Sequence, residues 1–460
     1  MTDTPPTAPI TAARSSAVTA ALIELDGRAV SWFRLAGGRH RGAIGPAEGD
    51  VLERAVRLGP ELGVPVVGLL ATSGADIGEG VASLDAWGRV ARALTEASGV
   101  VPTMLGLIGP CLSGPALLLG LVDQVVMTAD AFAYVTGPDT IAAFTGTSVD
   151  RVTLGGPGAH ARRTGVAAVV VDDEDDAVDA LAALLGYLPS HHLEDPPRLP
   201  VVDPIDRRCE RAATVVPARA SAGYDVRDVV EDVFDRDSFV ELRPMHASNL
   251  VTGLARLGGA AVGVLANQPW HRAGTLDIDA SSKGARFVQW CDAFNLPLVT
   301  LVDTPGFEPG MDLEWRGMIR YGAQLVHAYG AATVPRLCVV LRKAYGGAYI
   351  VMDSRGLGND WCGAWPGAEI AVLGAAAGVQ VLSGRALTAA GDPDAEAALR
   401  ARLETDFAVR FENPFEAAAR GYVDEVLDPA DTRRRLAAAL AQLATKREDH
   451  PARRHSSSPL

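Results

Sequence analysis

The amino-acid sequence predicts an α/β protein built from two tandem copies of one folding unit. Three observations carry that expectation: short apolar runs alternate with longer Ala/Leu-rich segments, a Pro-rich stretch interrupts the middle, and equal spacings recur in the two halves. At 460 residues the chain exceeds the size at which a single core usually stops growing. In the first half VPVVGLLA precedes a helical segment near Val81 to Ala97, and in the second LPLVTLVD precedes one near Glu314 to Gly330. Strand-like runs followed by helix-length segments are the pattern of βαβ units.

The repeat is sharper than the alternation. Gly74 follows Pro65 by nine residues, and Gly306 follows Pro297 by nine. Further on, a Val-Pro pair opens a second apolar run in each half, and twelve residues separate Pro102 from Gly114 and Pro335 from Gly347. The implied order, twice over, is strand, loop, helix, strand, glycine turn, helix. Residues 1–15 and a basic tail at 446–460 are expected to be disordered. Between them the expected divisions are a first domain at 16–190, a Pro-rich linker at 191–224 and a second domain at 225–445.

Composition removes several classes of function. A net charge of -14, from 56 acidic and 42 basic residues, repels a phosphate backbone, so no nucleic-acid partner is expected. Cys111, Cys209, Cys291, Cys338 and Cys362 never form C-x-x-C, which points to reduced thiols and a cytoplasmic location. The N-terminus lacks a basic region followed by an apolar run, and later apolar segments are broken by Gly, Pro or charge before spanning length. No membrane partner is therefore expected. Asp277, Asp303, Asp312 and Glu314 read as caps of turns and helices, not metal ligands. His160, His271 and His327 read as packing residues, and no Ser-His-Asp set stands out.

A small-residue turn between a strand and a helix leaves the first helical N–H groups without partners, and the helix dipole adds positive charge there. Such a turn can hold a phosphate, a carboxylate or a developing oxyanion. Neither turn reads G-x-x-x-x-G-K-[ST] or G-x-G-x-x-G with an acidic residue after the next strand, so an oxyanion hole is the better reading. The alternative is that the glycines only permit close helix-strand packing.

The second half contains VGVLANQP (Val262 to Pro269), LDIDASSKGARFVQWCDAFNLPLVTLVDTPGFEPGMDLEWRGMIRYGAQLVHAYGAATVP (Leu276 to Pro335) and RKAYGGAYIVM (Arg342 to Met352). With GPCLSGPA and LGGPGAHARRTGV in the first half, the chain resembles the biotin-dependent acyl-CoA carboxyltransferases, the β subunits of acetyl- and propionyl-CoA carboxylases. The resemblance implies two crotonase-like β-β-α spiral domains and head-to-tail dimers, usually assembled into hexamers. It implies a separate α subunit bearing biotin carboxylase and the biotin carboxyl carrier, an acyl-CoA substrate, biotin as cofactor, and no metal. Carried over by position, the amides of Ser113 and Gly114 would hold the thioester enolate oxygen, and those of Gly347 and Ala348 the biotin ureido oxygen. Gly346, Tyr349 and Ile350 would contact substrate. Loss of CO2 from carboxybiotin supplies the base for the α-proton, so no side-chain base is required.

The chain departs from the family pattern in places. Propionyl-preferring members tend to carry Asp where this chain has Ile350, which implies acetyl-CoA as acceptor. An Arg of the family loop is Asp76 here, and the first turn has Ser113 and Gly114 followed by Pro115, which has no N–H. Two further readings remain open: a malonyl- or methylmalonyl-thioester decarboxylase or transcarboxylase, and a non-catalytic partner subunit of a mixed carboxylase.

Overall fold

The computed structural model describes Ser15 and residues 17–219, 221–452, 456–457 and 459; the disorder expected for residues 1–14 lies outside these. The chain separates into two compact units. The first runs through Pro197 and takes in Leu242–His246 and Ala293–Asn295; the second comprises Arg198–Glu241, Ala247–Asp292 and the chain from Leu296 onward.

In the first unit a seven-stranded sheet is formed by β1 (Val18–Leu25), β2 (Arg28–Leu35), β3 (Val66–Thr72), β4 (Thr103–Leu112), β5 (Gln124–Thr128), β6 (Phe132–Tyr134) and β7 (Val169–Val171). The strand order is β1-β2-β3-β4-β5-β7, with β6 pairing to β4. β1 and β2 form an antiparallel hairpin whose turn, Asp26 and Gly27, has φ of 48° and 75°. Positive φ at both central residues matches the turn to the strand twist. From β2 onward every pairing is parallel.

The second unit repeats this plan in an eight-stranded sheet. Its strands are β8 (Val240–Leu242), β9 (Leu250–Leu257), β10 (Ala260–Asn267), β11 (Leu298–Thr304), β12 (Arg336–Tyr345), β13 (Trp361–Ala364), β14 (Glu369–Ala371) and β15 (Glu425–Val426). The order is β15-β13-β12-β11-β10-β9-β8, with β14 pairing to β12 as β6 does to β4. The β9–β10 hairpin again turns on two positive-φ residues, Gly258 and Gly259. β4 and β12 are both 10 residues long and both begin directly after the Val-Pro pair. Even the irregularity recurs, for the register shifts between Leu70 and Thr72 and again between Val302 and Thr304. The twelve-residue spacing therefore measures a ten-residue strand plus the two residues that turn the chain into the next helix.

The helix expected at Val81 to Ala97 spans those residues. The one expected near Glu314 to Gly330 is two helices, Met311–Trp315 and Met318–Ala331, because Gly317 adopts a left-handed φ of 97° and breaks the run. Residues 198–224, expected within a linker, are built into the second unit: Cys209, Ala212 and Tyr224 are buried in the cluster that holds Val264, Leu301 and Val339. Proline frequency there reports the lack of helix and strand; the apolar residues between the prolines decide burial. The start of the basic tail is likewise held, with Lys446 Nζ donating to Asp360 Oδ2 at 2.9 Å and to the Val334 carbonyl at 3.2 Å.

Candidate active site

At the end of β4 the chain turns through Ser113, whose φ of 62° and ψ of -145° place it in a region L-residues seldom occupy. The Ser113 N–H donates to the Tyr134 carbonyl at 2.9 Å. This amide, expected to hold an oxyanion, is thus engaged, because the β4–β6 ladder, whose last register pair is Leu112 with Tyr134, continues one residue further. Gly114 opens the following short helix, Gly114–Gly120, and no acceptor for its N–H is found among the described residues. Pro115 comes next and has no donor, so this turn presents one amide. Glycine is required at 114 by packing, since a Cβ there would lie 2.9 Å from Trp87 Cζ2.

Asp76 and its loop lie in the same unit. A Cβ on Gly74 would sit 3.5 Å from Ser113 Cβ, which brings the loop after β3 against the turn. Asp76 accepts from the Gly78 N–H at 2.9 Å and its other oxygen lies 2.9 Å from His40 Nδ1. Its reversed charge is therefore used locally, as a helix cap and a partner for histidine.

At the end of β12, Gly346 takes the place of Ser113, with φ 59°. Gly346, Gly347, Ala348, Tyr349 and Ile350 all fall on one helix, Gly346–Val351. Gly347 and Ala348 lie in its first turn, where N–H groups have no intrahelical acceptor, and no other backbone or side-chain acceptor is found for them among the described residues. Gly347 is exposed and Ala348 is buried. A Cβ on Gly347 would lie 3.5 Å from Phe307 Cε2, so the Phe307 ring flanks the turn at contact distance. Tyr349 is half-buried, and burial pushes its phenol well above its ordinary range; Ile350 is 42% exposed.

Several residues that the sequence did not connect with this second turn surround the strand ends that lead to it. Asp303, at the end of β11, accepts from Arg342 Nε at 3.0 Å, the Tyr224 hydroxyl at 2.9 Å and the Lys343 N–H at 3.2 Å. It is a junction between strands and not the simple cap its position suggested. Burial raises its carboxyl and the Arg342 charge opposes that rise. Burial, then Arg342, lowers the Lys343 ammonium. Tyr345, the residue before Gly346, donates its hydroxyl to Glu369 on β14. Glu369 lies in the stretch AWPGAEIAVLGA, but nothing local marks it as a partner of Tyr345; only the β12–β14 register does.

His160 Nε2 lies 2.9 Å from the Ala133 carbonyl and Nδ1 2.9 Å from Thr164 Oγ1, so both ring nitrogens serve packing. Asp277 accepts from the Ala280 N–H as a helix cap, and Asp312 pairs with Arg316. All five cysteines are free and buried. Among the described residues no group of His, Cys, Asp and Glu is placed to hold a metal, and no helix is long and apolar enough to cross a membrane.

Just beyond the second turn, Asp353 is fully buried and pairs with Arg336 at 3.0 Å. Burial pushes its carboxyl up to about 7, against the opposing pull of Arg336. A carboxyl raised in the fold binds its proton more tightly folded than unfolded. Its contribution thus favours folding at low pH and is lost as the pH rises from the unfolded value of about 4 toward 7. The stability difference between the native protein and Asp353→Asn should decline across that window and level off above it in urea titrations. A flat difference would show that the raised carboxyl is not linked to folding.

A carboxyl transferase domain profile matches residues 11–457. The chain is 44% identical over 438 residues to the carboxyltransferase subunit of propionyl-CoA carboxylase from Haloferax mediterranei, covering 95% of this chain and 84% of that one. It is 43% identical to the methylmalonyl-CoA carboxyltransferase 12S subunit of Propionibacterium freudenreichii subsp. shermanii, covering 86% and 75%. Among solved structures, transcarboxylase 12S, described as a hexamer assembly with methylmalonyl-CoA and methylmalonic acid bound, superposes with a TM-score of 0.92 at 39% identity. That alignment covers 96% of this chain and 85% of the other.

Proposed function

The chain belongs to the carboxyl transferase family, and from that membership we propose that it moves a carboxyl group between carboxybiotin, carried on a separate subunit, and the α-carbon of a short acyl-CoA, acetyl-CoA or propionyl-CoA. The observation that carries the reading is the second turn, where the successive amides of Gly347 and Ala348 stand at a strand-to-helix junction without acceptors among the described residues. A ureido oxygen suits that donor pair, and the absence of a side chain at Gly347 leaves room for it. When bound, carboxybiotin supplies the CO2 and then the base that takes the α-proton. The chain contributes donors where negative charge gathers on oxygen, Gly347 and Ala348 on one side and Gly114 for the thioester oxygen on the other. Each such donor typically contributes about 3 kcal/mol to the transition state.

The test is reconstitution with a biotinylated carrier-carboxylase subunit, ATP and bicarbonate, assaying acetyl-, propionyl- and malonyl-CoA. Carboxylated product from the chain with its carrier alone supports the reading. The single amide of the first turn favours a second reading, a partner subunit that lacks acyl-CoA chemistry of its own. Product formed only when another β-type chain is added would establish that reading and overturn the first.

Acyl choice is tested at Ile350. The relatives' names favour propionyl-CoA, and the apolar side chain at this position favours acetyl-CoA. Ile350→Asp should shift the ratio of kcat/KM between the two by about 10-fold, the usual worth of one methylene in a pocket. An unchanged ratio removes Ile350 from the acyl site.

Assembly follows the same reading. Ile77, Val81 and Phe144 in the first unit and Trp315, Ile319, Val381 and Leu382 in the second are all at least 72% exposed. We assign these faces to contacts between copies, a dimer or a hexamer. A monomeric mass by light scattering would overturn it. Buried free thiols suit the reducing conditions of a cytoplasm.

A further inference from the structure

The helix that bears Gly347 and Ala348 has only six residues, Gly346–Val351. A helix this short is marginal by itself, so its position is set by what holds its ends. At its far end the Met352 N–H donates to the Ala348 carbonyl at 3.1 Å, and the Met352 carbonyl accepts from Cys338 Sγ on β12 at 3.8 Å. Asp353 follows with φ 58°, a left-handed conformation that a non-glycine residue keeps only where its surroundings hold it. Arg336, the first residue of β12, does so: its Nη1 lies 3.0 Å from Asp353 Oδ1, and its Nη2 donates to the Leu357 and Gly358 carbonyls at 3.0 and 2.5 Å. Asn359 Nδ2 donates to the Asp353 carbonyl at 2.6 Å. The chain that leaves β12 through the second turn is thus tied back to the residue with which β12 begins. The two charged side chains are 3% and 0% exposed, and Arg336 Nε and Asp353 Oδ2 have no hydrogen-bond partner among the described residues. A buried pair so incompletely satisfied adds little net stability; the best-attested use of such pairs is to fix one arrangement among several.

We propose that Asp353, through its ion pair with Arg336, is a positioning residue for the second turn: it fixes the far end of the helix and with it the aim of the Gly347 and Ala348 amides. The linkage is short, because Asp353 adjoins Met352, whose N–H is bonded to the carbonyl of Ala348 itself. Loss of the pair frees the segment after the helix and lets the helix end shift. A turn displaced by a fraction of an ångström keeps its amides and aims them poorly, which weakens capture of the ureido oxygen and leaves the thioester turn, in the first unit, untouched. Burial pushes the Asp353 carboxyl up to about 7, so the pair is made and unmade near neutrality; Arg336 and Lys446 favour the carboxylate and Asp360 opposes it. Tyr329, on the helix Met318–Ala331, and Cys338, on β12, also feel its charge, and both are held well above their ordinary ranges and so stay neutral. The inference rests on the carboxyltransferase reading, because it assigns the second turn to biotin.

The reverse half-reaction, carboxyl transfer from malonyl- or methylmalonyl-CoA to free biotin with release of the acyl-CoA, separates the two sides by varying one substrate at a time. Asp353→Asn removes the charge and keeps a side chain that tolerates a left-handed backbone. It should raise the KM for biotin about tenfold while the CoA-thioester KM stays within about twofold, the scale expected when a catalytic group is slightly misplaced. Arg336→Met combined with Asp353→Asn leaves no buried charge unpaired, so it carries the test even if Asp353→Asn alone does not fold, and it should give the same one-sided rise. The pH profile is a readout that lost stability would not move: the ratio of variant to native biotin KM should be largest above about pH 7 and fall toward unity below it, as protonation unmakes the pair in the native protein. A folded double variant with the native biotin KM, equal changes in both KM values, or a ratio that does not vary with pH would overturn the proposal. A native protein that transfers no carboxyl group between any CoA thioester and biotin would instead refute the functional reading on which it rests.

Discussion

Replacing Ala348 with Pro is expected to lower turnover in the reconstituted carboxylation by about 100- to 1,000-fold, the usual cost of deleting one oxyanion-hole donor. The substitution removes a single N–H and asks little of the backbone, because the first turn of a helix tolerates proline. The chain supplies its own precedent: Pro115 occupies the corresponding position after Gly114, within the first two residues of the matching helix. The reciprocal change, Pro115→Ala, gives the first turn a second amide and should raise kcat/KM for the thioester. Thermal melts would separate these effects from folding, since Ala348 is buried and a proline ring adds volume there. If Ala348→Pro keeps turnover within about tenfold of native with an unchanged melt, the amide is not a donor to the reaction.

The second large effect is on stability. Asp303→Asn leaves Arg342 without its counter-charge in a place where the two side chains are 1% and 6% exposed, and is expected to cost about 3 kcal/mol or more. The aspartate also orders three segments at once, through Tyr224, Arg342 and the Lys343 N–H, so an amide in its place cannot satisfy all three donors. Denaturant midpoints of the native protein and the variant measure the cost. Arg342 donates as well to the carbonyls of Ala222, Arg219 and Pro217, so breaking the pair should also loosen the segment before Tyr224, seen as faster amide exchange there. A variant as stable as the native protein would overturn this and show that the cost of burying the pair cancels its worth.

Much of the fold could be read locally. The Val-Pro pairs fix where β4 and β12 begin, and the glycines twelve residues on fix where they turn, because strand length and turn chemistry are properties of short segments. The helix at Val81–Ala97 was legible for the same reason, whereas the break at Gly317 was not: a glycine inside a helical pattern is tolerated as often as it interrupts. The Pro-rich stretch read as a linker, yet residues 198–224 belong to the second unit, since proline governs backbone hydrogen bonding and says nothing of which side chains find a core.

The sequence by itself determined that the protein is α/β, that one unit occurs twice, and that each copy ends a strand in a turn able to present backbone amides. That Pro115 gives the first turn one donor fewer than Ala348 gives the second was legible in the sequence; only the tertiary structure decided that the Ser113 N–H is taken by Tyr134 across a strand pairing. Register likewise decided that Tyr345 meets Glu369 and that Asp303 gathers Tyr224, Arg342 and Lys343. Hydrogen bonds between strands join residues far apart in the chain, and their pairing is set by the whole sheet, so no window of sequence contains it.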